Sequence, residues 1–384
     1  MAENSPQRVV VLGGGIGGQV AATRLKQKLG SAARVILIER STTFTFAPSL
    51  LWLMVGKRQP KTITRDYSGL SRRGVELVHE TVTGIDTSAS EVQTESGVVG
   101  YDHLVVALGA ALDPERIPGL SEHTHHPYDL PSAERLRDAL HRFTGGRVTV
   151  AIASLPYKCP AAPYETAMLI DGYLRQRGIR DVSQIAMYTP EPLPLPVAGT
   201  QAGYIVAAEL AARGITFHPR TPLEGVEPTA LRFGGELVPH DLAVVIPPHR
   251  PPDVIAKSSL AGPNGWIPVD RATLRTRASN VYAIGDSTVI PLENGLALPK
   301  AGVFAHGEAE VVAENIARRI RGDLREDAFD GHGTCFLETG GGKSGLARGD
   351  FFASPVPKVA MHRPGRSWHA AKIAFEQYWL RRWL

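Results

Sequence analysis

The stretch Arg8-Val9-Val10-Val11-Leu12-Gly13-Gly14-Gly15-Ile16-Gly17-Gly18 decides the fold. Its apolar opening has the character of a strand buried on both faces. Gly13, Gly15 and Gly18 then complete a G-x-G-x-x-G turn. Glycine there permits a tight turn and lets a pyrophosphate approach the backbone amides at a helix start. Residues 19–28 read as that helix and 34–39 as the next strand, a βαβ unit. Glu39 ends the second strand 21 residues after Gly18, where a carboxylate can accept hydrogen bonds from ribose hydroxyls. A glycine-rich turn without a ligand is the plain alternative, and the position of this carboxylate argues against it.

Outward from the turn, residues 104–109 read as another buried strand, and 110–134 as a linker. A second βα succession follows: strand 147–152, helix 163–177 with Pro163 suited to its first turn, strand 184–188, helix 202–213 and closing strand 241–246. Residues 280–284, followed by Gly285-Asp286, resume the first pattern. This order predicts an α/β chain of two Rossmann-like dinucleotide-binding domains, one inserted in the other. Residues 1–110 and 265–330 form the first, 111–264 the second, and 331–384 a C-terminal region. Glycines at 331, 333, 340, 341, 342, 345 and 349 predict loops ahead of a final helix, 367–384.

Composition fits this reading. A chain of 384 residues suits two or three domains, and 43% hydrophobic with 21% charged residues describes a globular protein. It is neither a disordered chain nor one with an apolar run able to span a bilayer. A net charge of +4 is too small for a nucleic-acid binder. The basic excess is local, with six Lys or Arg against one acid over residues 358–384. Two cysteines exclude a disulfide scaffold and a paired zinc site. No metal is expected, and His123, His125 and His126 read as linker. Residues 1–7 are polar, without the apolar segment of a signal peptide, which predicts a cytoplasmic location.

NAD and FAD share the glycine turn, so the choice needs further residues. Residues 280–286 (Asn-Val-Tyr-Ala-Ile-Gly-Asp) resemble the strand and Gly-Asp that meet the flavin in two-dinucleotide flavoproteins. Residues 101–109 resemble their middle strand, with Leu108 in place of Thr. FAD is therefore expected, held by Gly13, Gly15, Gly17, Gly18, Glu39, Ala107, Gly109, Gly285 and Asp286. A nicotinamide site would need a second glycine turn after strand 147–152, and no glycine occurs between Gly146 and Gly172. Cys159 stands there instead. A nearby helix start and Lys158 predict a lowered thiol pKa, against the alternative of a small buried hydrophobe.

The chain resembles the sulfide:quinone oxidoreductases and the related flavoprotein subunit of flavocytochrome c sulfide dehydrogenase. The resemblance rests on residues 156–165 (Pro-Tyr-Lys-Cys-Pro-Ala-Ala-Pro-Tyr-Glu), 299–303, the Cys335 segment 331–338, and 375–380. With the glycine turn these run in family order over nearly the whole chain. It implies FAD-dependent oxidation of sulfide to persulfide or polysulfide with reduction of a membrane quinone. Cys159 and Cys335, 176 residues apart, become the redox pair. Glu165 becomes either a general base or an exposed first-turn carboxylate, and Lys300 either a flavin contact or a surface lysine. Ile16, Arg40, Pro48 and Val82 complete the implied flavin contacts. A third cysteine carried by many bacterial members is missing.

Phe351, Phe375 and Tyr378 are the implied quinone neighbours. On the final helix, Trp368, Ala371, Phe375, Tyr378, Trp379 and Trp383 recur at three- and four-residue intervals among basic residues. Such a face suits a lipid interface, the protein's own core or a second copy. The resemblance favours peripheral docking on the cytoplasmic side of the cell membrane, and leaves association into a homo-oligomer open. The rival readings are a cytochrome-linked sulfide dehydrogenase subunit, a type II NADH:quinone oxidoreductase lacking its second glycine turn, and an FAD-binding protein without catalysis.

Overall fold

A computed structural model describes residues 6–384. The expectation for the polar leader falls largely on residues 1–5, outside the described residues. Five parallel strands form the first sheet in the order Val281–Ala283, His103–Val106, Gln7–Leu12, Ala33–Ile38, Glu76–Val78. Val9, Val10, Val11 and Leu12 are fully buried at its centre, as an all-parallel sheet covered on both faces requires. The first helix, Ile16–Leu29, begins inside the glycine run, with Gly15 as its N-cap. It packs against the helix Gly302–Ile320 through a seam rich in alanine, with Ala21 and Ala22 in one buried cluster with Ala309 and Ala313. The ion pairs Arg24–Glu310 (2.7 Å) and Lys28–Glu314 (2.5 Å) run beside it.

Four more parallel strands form the second sheet, in the order Ile215–His218, Ser183–Tyr188, Gly146–Ile152, Leu242–Ile246. The helices Ala162–Gln176 and Thr200–Ala211 follow its first two strands in the chain. Each parallel sheet is interrupted in sequence by an antiparallel meander: Val82–Asp86 with Glu91–Thr94 and Val98–Gly100 ahead of His103–Val106, and Leu223–Glu227 with Ala230–Phe233 and Glu236–Pro239 ahead of Leu242–Ile246.

Three expectations need correction. Residues 110–134 are only partly linker. Ala111–Leu112 pairs with His249–Arg250, His125 bridges to Val244 at the edge of the second sheet, and Asp129 caps the helix Leu130–Arg142 by accepting from the Ser132 amide at 2.8 Å. The glycines after 330 do not make loops. His332–Gly340, Lys343–Asp350 and Lys358–Gly365 form a three-stranded antiparallel sheet. Its glycines serve the hairpin at 340–342, with φ of +76°, +61° and +72°, and close approaches such as Gly333, whose added Cβ would lie 2.6 Å from the Phe304 ring.

Finally, the aromatic stripe of the last helix, Arg366–Arg382, is divided. Trp379 and Trp383 are buried beside His306, with ring centroids 5.4 Å from it, whereas Phe375 and Tyr378 remain 41% and 57% exposed. The helix is thus anchored in its own protein by one part of the stripe. Trp383→Ala is expected to cost about 3–5 kcal/mol, seen as a melting temperature lowered by several degrees. An unchanged melting temperature would show that this anchor carries no stability.

Candidate active site

The glycine turn is tight because its neighbours leave no room for side chains. A Cβ on Gly18 would lie 1.8 Å from the Gly13 carbonyl oxygen, and one on Gly13, at φ +94°, 2.4 Å from that of Ala107. Gly15 differs, because a Cβ there would meet nothing within 4 Å. Helix Ile16–Leu29 starts at this opening without a side-chain cap, so its first-turn amides are available to an anion. Glu39 lies against the turn. Its carboxylate accepts from the Gly14 amide at 2.6 Å and the Ser41 amide at 2.9 Å. Tyr67 donates to the Gly14 carbonyl at 3.0 Å, and burial raises its phenol, which stays neutral. Arg40 is exposed, while Val82 packs against the buried cluster that includes Leu12 and Ile38. These features fit an adenine dinucleotide.

At the other end, Gly109 donates its amide to Ser287 Oγ at 2.8 Å, and Gly285, at φ +65°, donates to Glu308 Oε2 at 2.5 Å. The turn carrying Asp286 is thereby tied to the end of the middle strand and to the Gly302–Ile320 helix. Burial raises the Asp286 carboxyl, opposed by Lys158 and Lys300. Burial likewise raises Glu308, to about 7. Lys300 is no surface lysine. Its ammonium donates to the carbonyls of Asp286 (2.7 Å) and Thr288 (2.9 Å), lies 3.4 Å over the Trp266 ring, and is lowered by burial to about 8. Tyr67, Ser287 and Glu308 were invisible to motif reading, because each acts through the backbone of a residue far away in sequence.

The cysteine segment crosses between the two sheets. Lys158 bridges to Lys300, and the Cys159 amide donates to the Lys300 carbonyl at 2.7 Å. Cys159 itself has φ +55°, a left-handed conformation uncommon outside glycine and characteristic of strained functional positions. Its carbonyl accepts from the Ala162 amide at 3.0 Å. Both thiols are free.

The expected lowering of the Cys159 thiol does not occur. Enclosure by protein pushes it up to about 12, and Glu165 and then Cys335 add to the rise. The Ala162 amide and Lys372 oppose it. Lys158 acts on Asp286 and His249 instead. Cys159 keeps an exposed edge, so water offsets part of this rise until the edge is covered. Cys335 is also pushed to about 12 by burial, then Glu165, against Lys372.

Glu165 is neither exposed nor alone. It is buried, accepts from the Glu338 amide at 2.8 Å and from Lys372 Nζ at 3.2 Å, and burial outweighs Lys372 in raising its carboxyl. Lys372 lies 3.8 Å from Glu338, whose carboxylate also meets His369 at 3.1 Å. Alternate residues of strand His332–Gly340 serve opposite sides. Cys335 feels Glu165, and Leu337 packs among the side chains of the Ala162–Gln176 helix. Phe336 meets Phe375, and Glu338 meets His369, on the last helix.

The three predicted quinone residues are not gathered in one place. Phe375 lies beside Phe46 and Phe336, at 6.1 and 6.3 Å, and Pro48, two residues after Phe46, is half-buried. Phe351 packs edge-on against Phe304 at 5.0 Å, and Tyr378 faces solvent. Among the described residues no helix is long and apolar enough to cross a membrane, and no group of three His, Cys, Asp or Glu is placed to hold a metal ion.

A parallel-sheet dinucleotide cradle beside two thiols defines a disulfide-handling nucleotide oxidoreductase. The pyridine nucleotide-disulphide oxidoreductase family matches residues 7–309, and the chain belongs to it. The mitochondrial sulfide:quinone oxidoreductase of Mus musculus is 28% identical over 371 residues, covering 91% of this chain and 79% of that protein. The solved sulfide:quinone oxidoreductase of Aquifex aeolicus is similar at a TM-score of 0.90 and 27% identity, covering 98% of this chain and 91% of the other. The type II NADH:quinone oxidoreductase of Staphylococcus aureus (strain NCTC 8325 / PS 47) is 23% identical over 84% of each chain.

Proposed function

We propose that this protein is an FAD-dependent sulfide:quinone oxidoreductase, an oxidoreductase that converts sulfide to persulfide or polysulfide sulfur and reduces a quinone. The observation that carries the proposal is the replacement of the second glycine turn by the segment that sets Cys159 with Cys335 and Glu165. The inserted unit also uses up its own nucleotide contacts. Glu191, beyond the second strand of that sheet and suited by position to a ribose, is buried and takes hydrogen bonds from Tyr157, Tyr164 and Thr189. The domain division at 1–110 with 265–330, 111–264 and 331–384 follows from this reading as two Rossmann-like units and a docking region.

In the oxidised pair, hydrosulfide attacks one sulfur of the Cys159–Cys335 bridge. One cysteine becomes a persulfide and the other leaves as thiolate. Attack of that thiolate on the persulfide then closes a bridge longer by one sulfur and releases two electrons and a proton. Bound FAD supplies the two-electron acceptor between this step and the quinone. Gly13, Gly15, Ile16, Gly17, Gly18, Glu39, Arg40, Val82, Ala107, Gly109, Gly285, Asp286, Lys300 and Pro48 bind it in this proposal. Buried Glu165 holds a proton beside both sulfurs.

The outer face of the last helix, with exposed Phe375, Tyr378 and Arg381, docks on a membrane surface, from which quinone reaches the Phe375 side. The cytoplasmic face fits a chain with only two cysteines and so no structural disulfide framework. Anaerobic stopped-flow absorbance of the FAD-loaded protein tests the whole. Sulfide is expected to bleach the flavin, decylubiquinone to restore it and NADH to leave it unchanged. Bleaching by NADH alone would overturn the proposal in favour of the nicotinamide enzyme.

A further inference from the structure

We propose that Lys372, Glu338 and His369 form the path along which the buried carboxyl of Glu165 exchanges its proton with solvent. The inference rests on the reading of Glu165 as the group that holds a proton in the sulfur reaction. Three elements meet in this cluster. The Ala162–Gln176 helix brings Glu165, the strand His332–Gly340 brings Glu338, and the last helix brings His369 and Lys372, three residues apart on one face. Glu165 Oε1 accepts from Lys372 Nζ at 3.2 Å, and the same ammonium lies 3.8 Å from Glu338 Oε1. Both carboxylate oxygens of Glu338 lie 3.1 Å from His369 Nδ1. Each group thus stands within hydrogen-bond or ion-pair reach of the next. His369 alone of the four opens outward, with 19% of its side chain exposed against at most 8% for the others.

Charge parity shows what the cluster carries. Two buried carboxylates and one buried ammonium leave a single negative charge without a counterion, which burial disfavours. One extra proton balances it, and the cluster offers that proton three places: Glu165, Glu338 and the His369 ring. Burial raises the Glu165 carboxyl over the opposition of Lys372, so the inner place is a real one. The neighbouring pair Arg58–Glu376 is balanced, with one charge of each sign at 2.8 Å and the Ser49 hydroxyl donated to Glu376, so it neither supplies nor needs this proton. It shares the Trp52 ring with Lys372, the two cations lying 4.4 and 4.9 Å from its centroid, and His369 meets the same ring at 5.6 Å. A proton leaving Glu165 passes to Lys372 as the ammonium gives one of its own to Glu338. Glu338 then gives a proton to His369 Nδ1, and the imidazolium so formed loses one to water. Lys372, Glu338 and His369 return to their starting charge, no electrons move, and the same path runs inward when Glu165 must be reloaded.

In FAD-loaded full-length protein without sulfide, a laser-triggered drop in pH followed by the infrared band of a protonated carboxyl times the arrival of a proton on Glu165, the band being identified by its loss in Glu165→Gln. His369→Gln is expected to slow that arrival about a hundredfold, and added imidazole, which stands in for the missing ring, to restore it. Lys372→Arg keeps the cation between the carboxylates but cannot give up a proton, so the same slowing is expected there without rescue by imidazole. A Glu165 band that does not respond in the wild type, or that forms at the wild-type rate in folded variants, would overturn the inference. So would slowing in His369→Gln that imidazole leaves untouched, since that marks a merely structural role. In turnover with sulfide and decylubiquinone, kcat of His369→Gln is expected to fall about tenfold and to recover with imidazole. A wild type that does not turn over sulfide, but whose Glu165 band is slowed by His369→Gln and restored by imidazole, would refute the sulfide reading and leave the path in place.

Discussion

Cys159→Ser is expected to abolish sulfide-dependent bleaching of the flavin, by about a thousandfold or more, while dithionite still reduces it and the bound FAD spectrum is retained. The geometry explains both halves. The Cys159 side chain sits outside the glycine turn and the Gly285–Asp286 turn, so the substitution leaves the cradle intact. It removes a nucleophile that serine cannot replace, because the thiolate is the reacting species in disulfide exchange. The wild-type rate should rise with pH over the alkaline range, since enclosure pushes the thiol up, less the part its exposed edge gives back to water, and the reactive form grows with pH. A Cys159→Ser enzyme that still passed electrons from sulfide to quinone would remove Cys159 from the reaction.

Gly18→Ala is expected to yield protein without FAD, and largely unfolded. A Cβ there would stand 1.8 Å from the Gly13 carbonyl oxygen, which belongs to the turn itself. No side chain can swing aside, so the turn or the helix behind it must shift. Gly15→Ala is the informative control, since its Cβ would meet only open space. It should fold and lose flavin affinity alone, because the added methyl occupies ground suited to a pyrophosphate. Flavin absorbance of the purified proteins and their melting temperatures separate the two. A Gly18→Ala protein with full flavin content would refute the steric argument.

Legibility from sequence followed the range of the signals. The βαβ opening, the second strand succession and the Gly285-Asp286 turn were readable because strand periodicity, glycine geometry and a terminal carboxylate lie within a few residues of each other. The helix start at Ile16 was missed by three residues because glycine is a poor helix former, although Gly17 and Gly18 are needed for close packing. The C-terminal sheet was missed because its glycines, required by Phe304 and by the hairpin, imitate loop composition. The pairing of Cys159 with Cys335 came only from resemblance, and the acidity of Cys159 was misjudged. A helix start and a lysine argue for a lowered pKa, while the enclosure and the buried Glu165 that reverse it exist only in three dimensions.

In the proposed reaction the strand His332–Gly340 would also keep the two reactants apart. Successive residues, Cys335 and Phe336, point to opposite faces of the strand, so in the proposed reaction a single peptide unit would stand between the sulfur side and the quinone side. The partition depends on parity. An insertion of one residue ahead of Cys335 would turn the thiol toward the greasy side and the phenyl ring toward the sulfur side, whereas an insertion of two would keep each facing its own partner.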